Sequence, residues 1–233
     1  IGLPLIFSKI TKRRNLGEIF VGFGLLFLGL KFLKESVPEV DTEILAFLSG
    51  YTELGVVSLL IFIAVGVILT IVVQSSSAAM TITITMAYAG WIDFPTAAAL
   101  ILGENIGTTI TAYLASLSAN YHAKRTARAH MIFNLFGIIW MLIAFKMFIP
   151  FIDYIVPGDP YIPRYLAGVE NPLFNPVTIP IHLSMFHTLF NIINVLLLIW
   201  FVPQIASIVK KMVKPSVSEK EEDEYQLEYF STG

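Results

Sequence analysis

The 233-residue sequence predicts an all-α integral membrane protein built around a re-entrant helical hairpin and discontinuous helices. Three observations lead there. The chain is 56% hydrophobic and only 14% charged, against about 25% charged residues in a soluble domain, so a bilayer is its natural solvent. Its apolar runs approach the ~20 residues that span a membrane. Two of those runs are interrupted by polar clusters, "QSSS" at 74–77 and "GENIGTT" at 103–109. The net charge of −2 gives no sign of nucleic-acid binding. With no cysteine, disulfides and thiolate metal sites are excluded.

Residues 1–16 open at "IGLPLIF", with neither an initiating Met nor a signal-peptide pattern. They read as the end of a preceding membrane segment followed by a cytoplasmic basic loop, so that part of the natural protein is expected to lie upstream. Residues 17–34 read as one spanning helix with chargeable flanks. Residues 35–53 are acidic, broken by Pro38, and read as a surface segment. Residues 54–73 are apolar, whereas 78–90, beyond the polar break, have only about half the length needed to cross. "WIDFP" at 91–95 reads as a turn with an interfacial Trp. Residues 94–118 read as a helix broken at "GENIGTT". Two scaffold helices within 129–203 follow, at 129–150 and 178–203, each ending at a proline and joined by a Pro-rich outer loop, 151–177. Residues 204–233 form a cytoplasmic tail that turns acidic after Lys210, Lys211 and Lys214.

Positive charge orients these elements. Lys9/Lys12/Arg13/Arg14, Lys124/Arg125/Arg128 and Lys210/Lys211/Lys214 all belong on the cytoplasmic side. Helix 17–34 then runs outward, and residues 54–118 make one net crossing. The simplest solution is a hairpin, 54–90, that enters and leaves on the outer side, with 94–118 crossing inward. "QSSS" becomes its tip, and a non-helical tip at membrane depth must pack inside protein or line a cavity.

Gln74, Ser75, Ser76 and Ser77 offer one amide and three hydroxyls at the start of a helix, where free N–H groups favour an anion. The competing reading is a capped helix or hydroxyl-mediated helix packing. In "GENIGTT", Gly103 and Gly107 permit an unwound backbone. Asn105, Thr108 and Thr109 then supply oxygens for a hard cation such as Na⁺; the alternative is a glycine kink with threonines bonded back to their own helix. Paired broken segments of this kind mark secondary transporters. Glu104 is the sole acid of its apolar stretch, suited to carry a proton, to help bind a cation, or to pair with an arginine. "HMIFN" at 130–134 and "HTLFN" at 187–191 form an internal echo, read as interhelical hydrogen bonding. His122, His130, His182 and His187 lack a metal-ligand pattern, and no nucleotide loop, G-x-S-x-G or catalytic triad pattern is present, so no enzyme is expected.

"QSSSAA" followed by "LGENIGTT", together with "GLLFLGLKFLKESV" and "HTLFN", resembles the type II sodium/phosphate cotransporter family, in its bacterial branch. The resemblance covers most of residues 16–203. It implies Na⁺-coupled transport of inorganic phosphate by alternating access, in a multi-pass protein of the plasma (inner) membrane, with no cofactor beyond the coupling ion. It also implies two inverted repeats, each with a Gln-Ser-Ser-Ser hairpin. Carried over, Gln74, Ser75, Ser76 and Ser77 hold phosphate, while Gln74, Asn105, Thr108, Thr109 and Glu104 serve the cation. This chain has one such motif and resembles the second half, so a first repeat or a second copy is expected to complete the site. Glu104 stands where many members have Ala. The end "EYQLEYFSTG" looks like the approach to a PhoU-like helical domain. Two alternatives remain open: transport of another anion (a dicarboxylate, an amino acid or another oxyanion), and a non-transporting membrane scaffold.

Overall fold

The computed structural model describes residues 2–36, 55–166 and 169–217. The acidic segment after the first long helix and the acidic end of the tail lie outside those residues. Among the described residues the chain is helical except for turns, loops and a two-residue β pairing. A short α1 (Gly2–Ile6) precedes α2 (Thr11–Ser36). Then come α3 (Val56–Val73), α4 (Ser76–Tyr88), α5 (Phe94–Ser116) and α6 (Tyr121–Ile155). Strands β1 (Tyr165–Leu166) and β2 (Val169–Glu170) pair antiparallel in the following loop. The chain ends with α7 (Thr178–Leu198), a 3-10 turn (Ile199–Phe201) and α8 (Val202–Met212). Four stretches are long and apolar enough to cross a membrane: Thr11–Phe32, Val56–Val73, Tyr121–Ile155 and Thr178–Met212. This is a multi-pass membrane protein, all-α as its composition predicts.

The helices differ from the sequence reading at several points. The basic residues Lys12, Arg13 and Arg14 begin α2 and are not a loop. Asn120 starts α6 well before residue 129, its Oδ1 accepting from the Ala123 N–H at 3.0 Å. Pro150 does not end that helix, which runs on to Ile155. Phe148, Ile149 and Ile152 are buried around it, and that burial carries the helix through the one hydrogen bond the proline removes. Pro203 sits in the first turn of α8, a position that needs no N–H donor.

The largest correction concerns 94–118, expected to be broken. Helix α5 is continuous from Phe94 to Ser116. Asp93 caps it, accepting from the Thr96 N–H at 2.9 Å. Gly103 and Gly107 do not unwind it; they let α3 approach. A Cβ on Gly103 would strike the backbone carbonyl oxygen of Ile63, and one on Gly66 that of Leu100. Packing against a neighbouring backbone, rather than backbone freedom, accounts for these glycines.

These contacts also set direction. Ile63 lies against Gly103 and Thr70 against Gly107, so α3 runs parallel to α5. Helix α4 returns the other way to the turn at residues 89–93, making α3 and α4 an antiparallel helical hairpin along α5. The first half of α5, from Phe94 to Glu104 with only Pro95 excepted, is buried. Behind it, α6 and α7 are joined by Asn194, which takes the Trp140 indole N–H at 3.2 Å and donates to Phe133 O at 3.2 Å. At one end of the bundle Arg164 donates to Ala89 O at 3.0 Å, placing this residue of the loop after α6 beside the α4–α5 turn. At the other end Arg125 donates to Val213 O at 3.0 Å.

Candidate functional site

The break between α3 and α4 is made by two residues. Gln74 adopts a left-handed conformation, φ 56°, and its N–H closes α3 on Thr70 O at 2.8 Å. It is the only non-glycine residue with positive φ among those described, a conformation that costs roughly 1–2 kcal/mol. Ser75 is extended and caps α4, its Oγ accepting from the Ala78 N–H at 3.3 Å. The Ala79 N–H makes the first helical bond, to Ser75 O at 2.9 Å. The N–H groups of Ser76 and Ser77 are therefore left without a helical acceptor, at the positive end of the α4 dipole.

Ser76 and Ser77 border a cavity of about 370 Å³. Across it, α5 contributes Glu104, Asn105 and Thr108. Helix α6 adds His130 and Asn134, and α7 adds His187 and Asn191. The cavity sits about ten residues from either end of α5, on the order of 15 Å along a helix from each.

Glu104 is 2% exposed. Thr83 donates its hydroxyl to Glu104 Oε1 at 2.6 Å, and Oε2 is buried with no hydrogen-bond partner among the described residues. The arginine pairing considered for Glu104 is not formed among the described residues. Asn105 donates to Ile101 O at 3.1 Å, and its Oδ1 has no partner among the described residues. Thr108 donates to Glu104 O at 2.8 Å and keeps its oxygen lone pairs for a further partner.

Five of the eight residues expected at the site thus come together: Ser76, Ser77, Glu104, Asn105 and Thr108. Three do not. Ser75 is used as a cap. Gln74, turned away by its left-handed backbone, borders a separate recess of about 530 Å³ with Thr108, Thr111 and Leu114. Thr109 is buried and donates back to Ile106 O at 2.7 Å.

The two His-x-x-Phe-Asn motifs only partly follow their expected role as interhelical bonds. Asn134 does bridge helices, donating to Asn105 O at 3.3 Å, and its amide also lies 2.9 Å from His130 Nε2. With both amide protons so used, His130 Nε2 accepts and the ring proton sits on Nδ1. Asn191 bonds within its own helix, to His187 O at 2.8 Å. The motifs instead line one wall of the cavity. Their four-residue His–Asn spacing, which puts both side chains on one helix face, was the signal in the sequence.

Two of the four membrane-length apolar stretches, Tyr121–Ile155 and Thr178–Met212, help line this polar cavity within a multi-pass membrane protein. Residues 45–152 match the family described as Na⁺/Pi-cotransporter, a family of transporters, and this bears out the resemblance carried by "QSSSAA" and "LGENIGTT". The uncharacterized protein YqeW of Bacillus subtilis is 29% identical over 201 residues, covering 84% of this chain and 62% of its own length. YjbB of Escherichia coli, whose name proposes inorganic phosphate export, is 27% identical over 211 residues, 88% of this chain and 34% of that protein. The sodium-dependent phosphate transport protein 2C of Mus musculus is 40% identical over 102 residues, 42% of this chain and 16% of that protein. The chain thus spans less than two thirds of the length of these relatives. No solved structure matches it.

Proposed function

We propose that this chain forms part of a Na⁺-coupled transporter of inorganic phosphate that works by alternating access. One observation carries the reading: the free hydroxyls and N–H groups of Ser76 and Ser77 share a mid-bundle cavity with Glu104, Asn105 and Thr108. The donors suit an anion. The oxygens of Asn105, Thr108 and Glu104 suit a hard cation that offsets the anion's charge. The α3–α4 hairpin is the re-entrant element, its tip at mid-depth. Helix α5, whose polar middle keeps it out of the most apolar class, is the crossing that follows. The Arg125–Val213 end is cytoplasmic and the Arg164–Ala89 end faces out. Exposed apolar side chains such as Phe23, Phe27, Ile143 and Trp200 face lipid, and a first repeat or a second copy completes the transport path.

A dicarboxylate carrier calls for an arginine at the substrate, and among the described residues none borders this cavity. The decisive experiment follows radiolabelled phosphate across vesicles with and without a Na⁺ gradient. Flux that ignores the gradient would overturn the coupling, and absent phosphate flux would overturn the substrate.

A further inference from the structure

The end of the bundle marked by Arg125 gathers positive charge. Helix α8 packs against α6 there, with Val209 and the following Val213 buried. Lys210, Lys211 and Lys214 stay exposed. The bond from Arg125 to Val213 O brings Lys124, Arg125 and Arg128 of α6 to the same end. Arg125 lies over the Tyr121 ring, 4.6 Å from its centroid, and Arg128 over the Tyr113 ring at 5.1 Å. None of the six cations enters an ion pair among the described residues. The helix dipoles explain only part of this charge. Lys210 and Lys211 close α8, where a dipole favours cations, but Lys124 and Arg125 sit near the start of α6, where it opposes them. An anion at this end relieves that repulsion.

The same end also exposes apolar side chains. Ile208 and Met212 stand one turn apart on α8, each 47% exposed, in the same helix as the lysines. Leu114 and Leu117, where α5 closes beside Arg128, are exposed as well. A free anion or an acidic peptide would balance the charge and leave these side chains in water. A phospholipid with an anionic headgroup meets both demands, because its phosphate accepts from the cations while its acyl chains cover the apolar flank. We propose that the α6–α8 end binds an anionic phospholipid, its headgroup held by Lys210, Lys211 and Lys214 together with Lys124, Arg125 and Arg128, and its chains lying along Ile208 and Met212. The site is separate from the serine cavity and does not depend on what that cavity carries.

Trp200 supplies the readout. It is 80% exposed and lies ten residues before Lys210, on the order of 15 Å along a helical path, within the depth that an acyl chain spans. The full chain is reconstituted in phosphatidylcholine vesicles, and quenching of tryptophan fluorescence is compared for brominated phosphatidylglycerol and brominated phosphatidylcholine. Phosphatidylglycerol should be preferred by at least about fivefold, the factor that a single basic residue contributes near an anionic surface. The preference should vanish in Trp200→Phe, which removes the reporter. It should fall to within about twofold in Lys210→Gln/Lys211→Gln/Lys214→Gln, whose exposed positions leave the fold intact, and shrink in about 1 M salt, where the Debye length is about 3 Å. Equal quenching by the two lipids would overturn the proposal, and that arm needs no variant. So would a preference that the triple variant retains. Loss of the preference on adding millimolar inorganic phosphate would make this a free-phosphate site instead. A preference that emerges only in Glu221→Gln/Glu222→Gln/Glu224→Gln would make the acidic tail the occupant, and would equally overturn the proposal.

Discussion

Substituting Gly103 by Ala tests how the hairpin is seated. The added Cβ would meet the Ile63 carbonyl oxygen head-on and lie 2.9 Å from both the Ile63 carbonyl carbon and the Val67 nitrogen. Comfortable separations begin at about 3.5 Å, so the two 2.9 Å contacts alone require α3 to withdraw by about 0.6 Å, and the carbonyl oxygen, which lies closer, requires more. All three obstructing atoms are backbone, and no side chain can rotate to make room. Overpacking of this kind costs roughly 1–3 kcal/mol, and a rigid neighbour puts it at the upper end. Alanine's better helix propensity returns about 1 kcal/mol, leaving a net loss of about 2 kcal/mol. At about 2–4 °C per kcal/mol for a chain of this size, Tm should fall by about 4–8 °C. The control is Gly24→Ala on α2, where a Cβ meets nothing within 4 Å. Thermal unfolding in detergent, followed by circular dichroism, compares the two. Equal Tm values would refute the argument that backbone approach, rather than helix flexibility, accounts for the glycine at 103.

The serines of the tip should separate by role. Ser75→Ala removes the α4 cap and should cost about 1 kcal/mol of stability, whereas Ser76→Ala should leave Tm unchanged and raise the KM for phosphate, read by flux and unfolding together. Gln74→Gly should retain fold and flux, because glycine accepts positive φ. Gln74→Val, β-branched at φ 56°, should lower Tm. Asn194→Leu removes two interhelical hydrogen bonds, each worth about 0.6–1.7 kcal/mol in a membrane. It should lower Tm and shift tryptophan fluorescence as the Trp140 indole N–H loses its acceptor.

Composition alone dictated a helical membrane protein, because so few charges cannot solvate so much apolar surface in water. The local polar break at 74–77 was enough to place the helix boundary, since a helix cannot pass through a left-handed residue followed by an extended cap. "GENIGTT" was legible as chemistry and illegible as conformation. The same glycine pattern fits an unwound segment or a close-packed helix, and only α3 lying against it decides for the helix. Likewise, four adjacent polar residues look equivalent in sequence. The turn divides them into a hinge at Gln74, a cap at Ser75 and two free donors at Ser76 and Ser77. The histidine-asparagine wall depends on residues more than fifty positions from the serines, and no local pattern reports a neighbour at that range. Solvent preference and helix boundaries are local properties of the chain, set by the residues themselves. Which polar groups stay unpartnered, and therefore available to a substrate, is settled only when the helices pack.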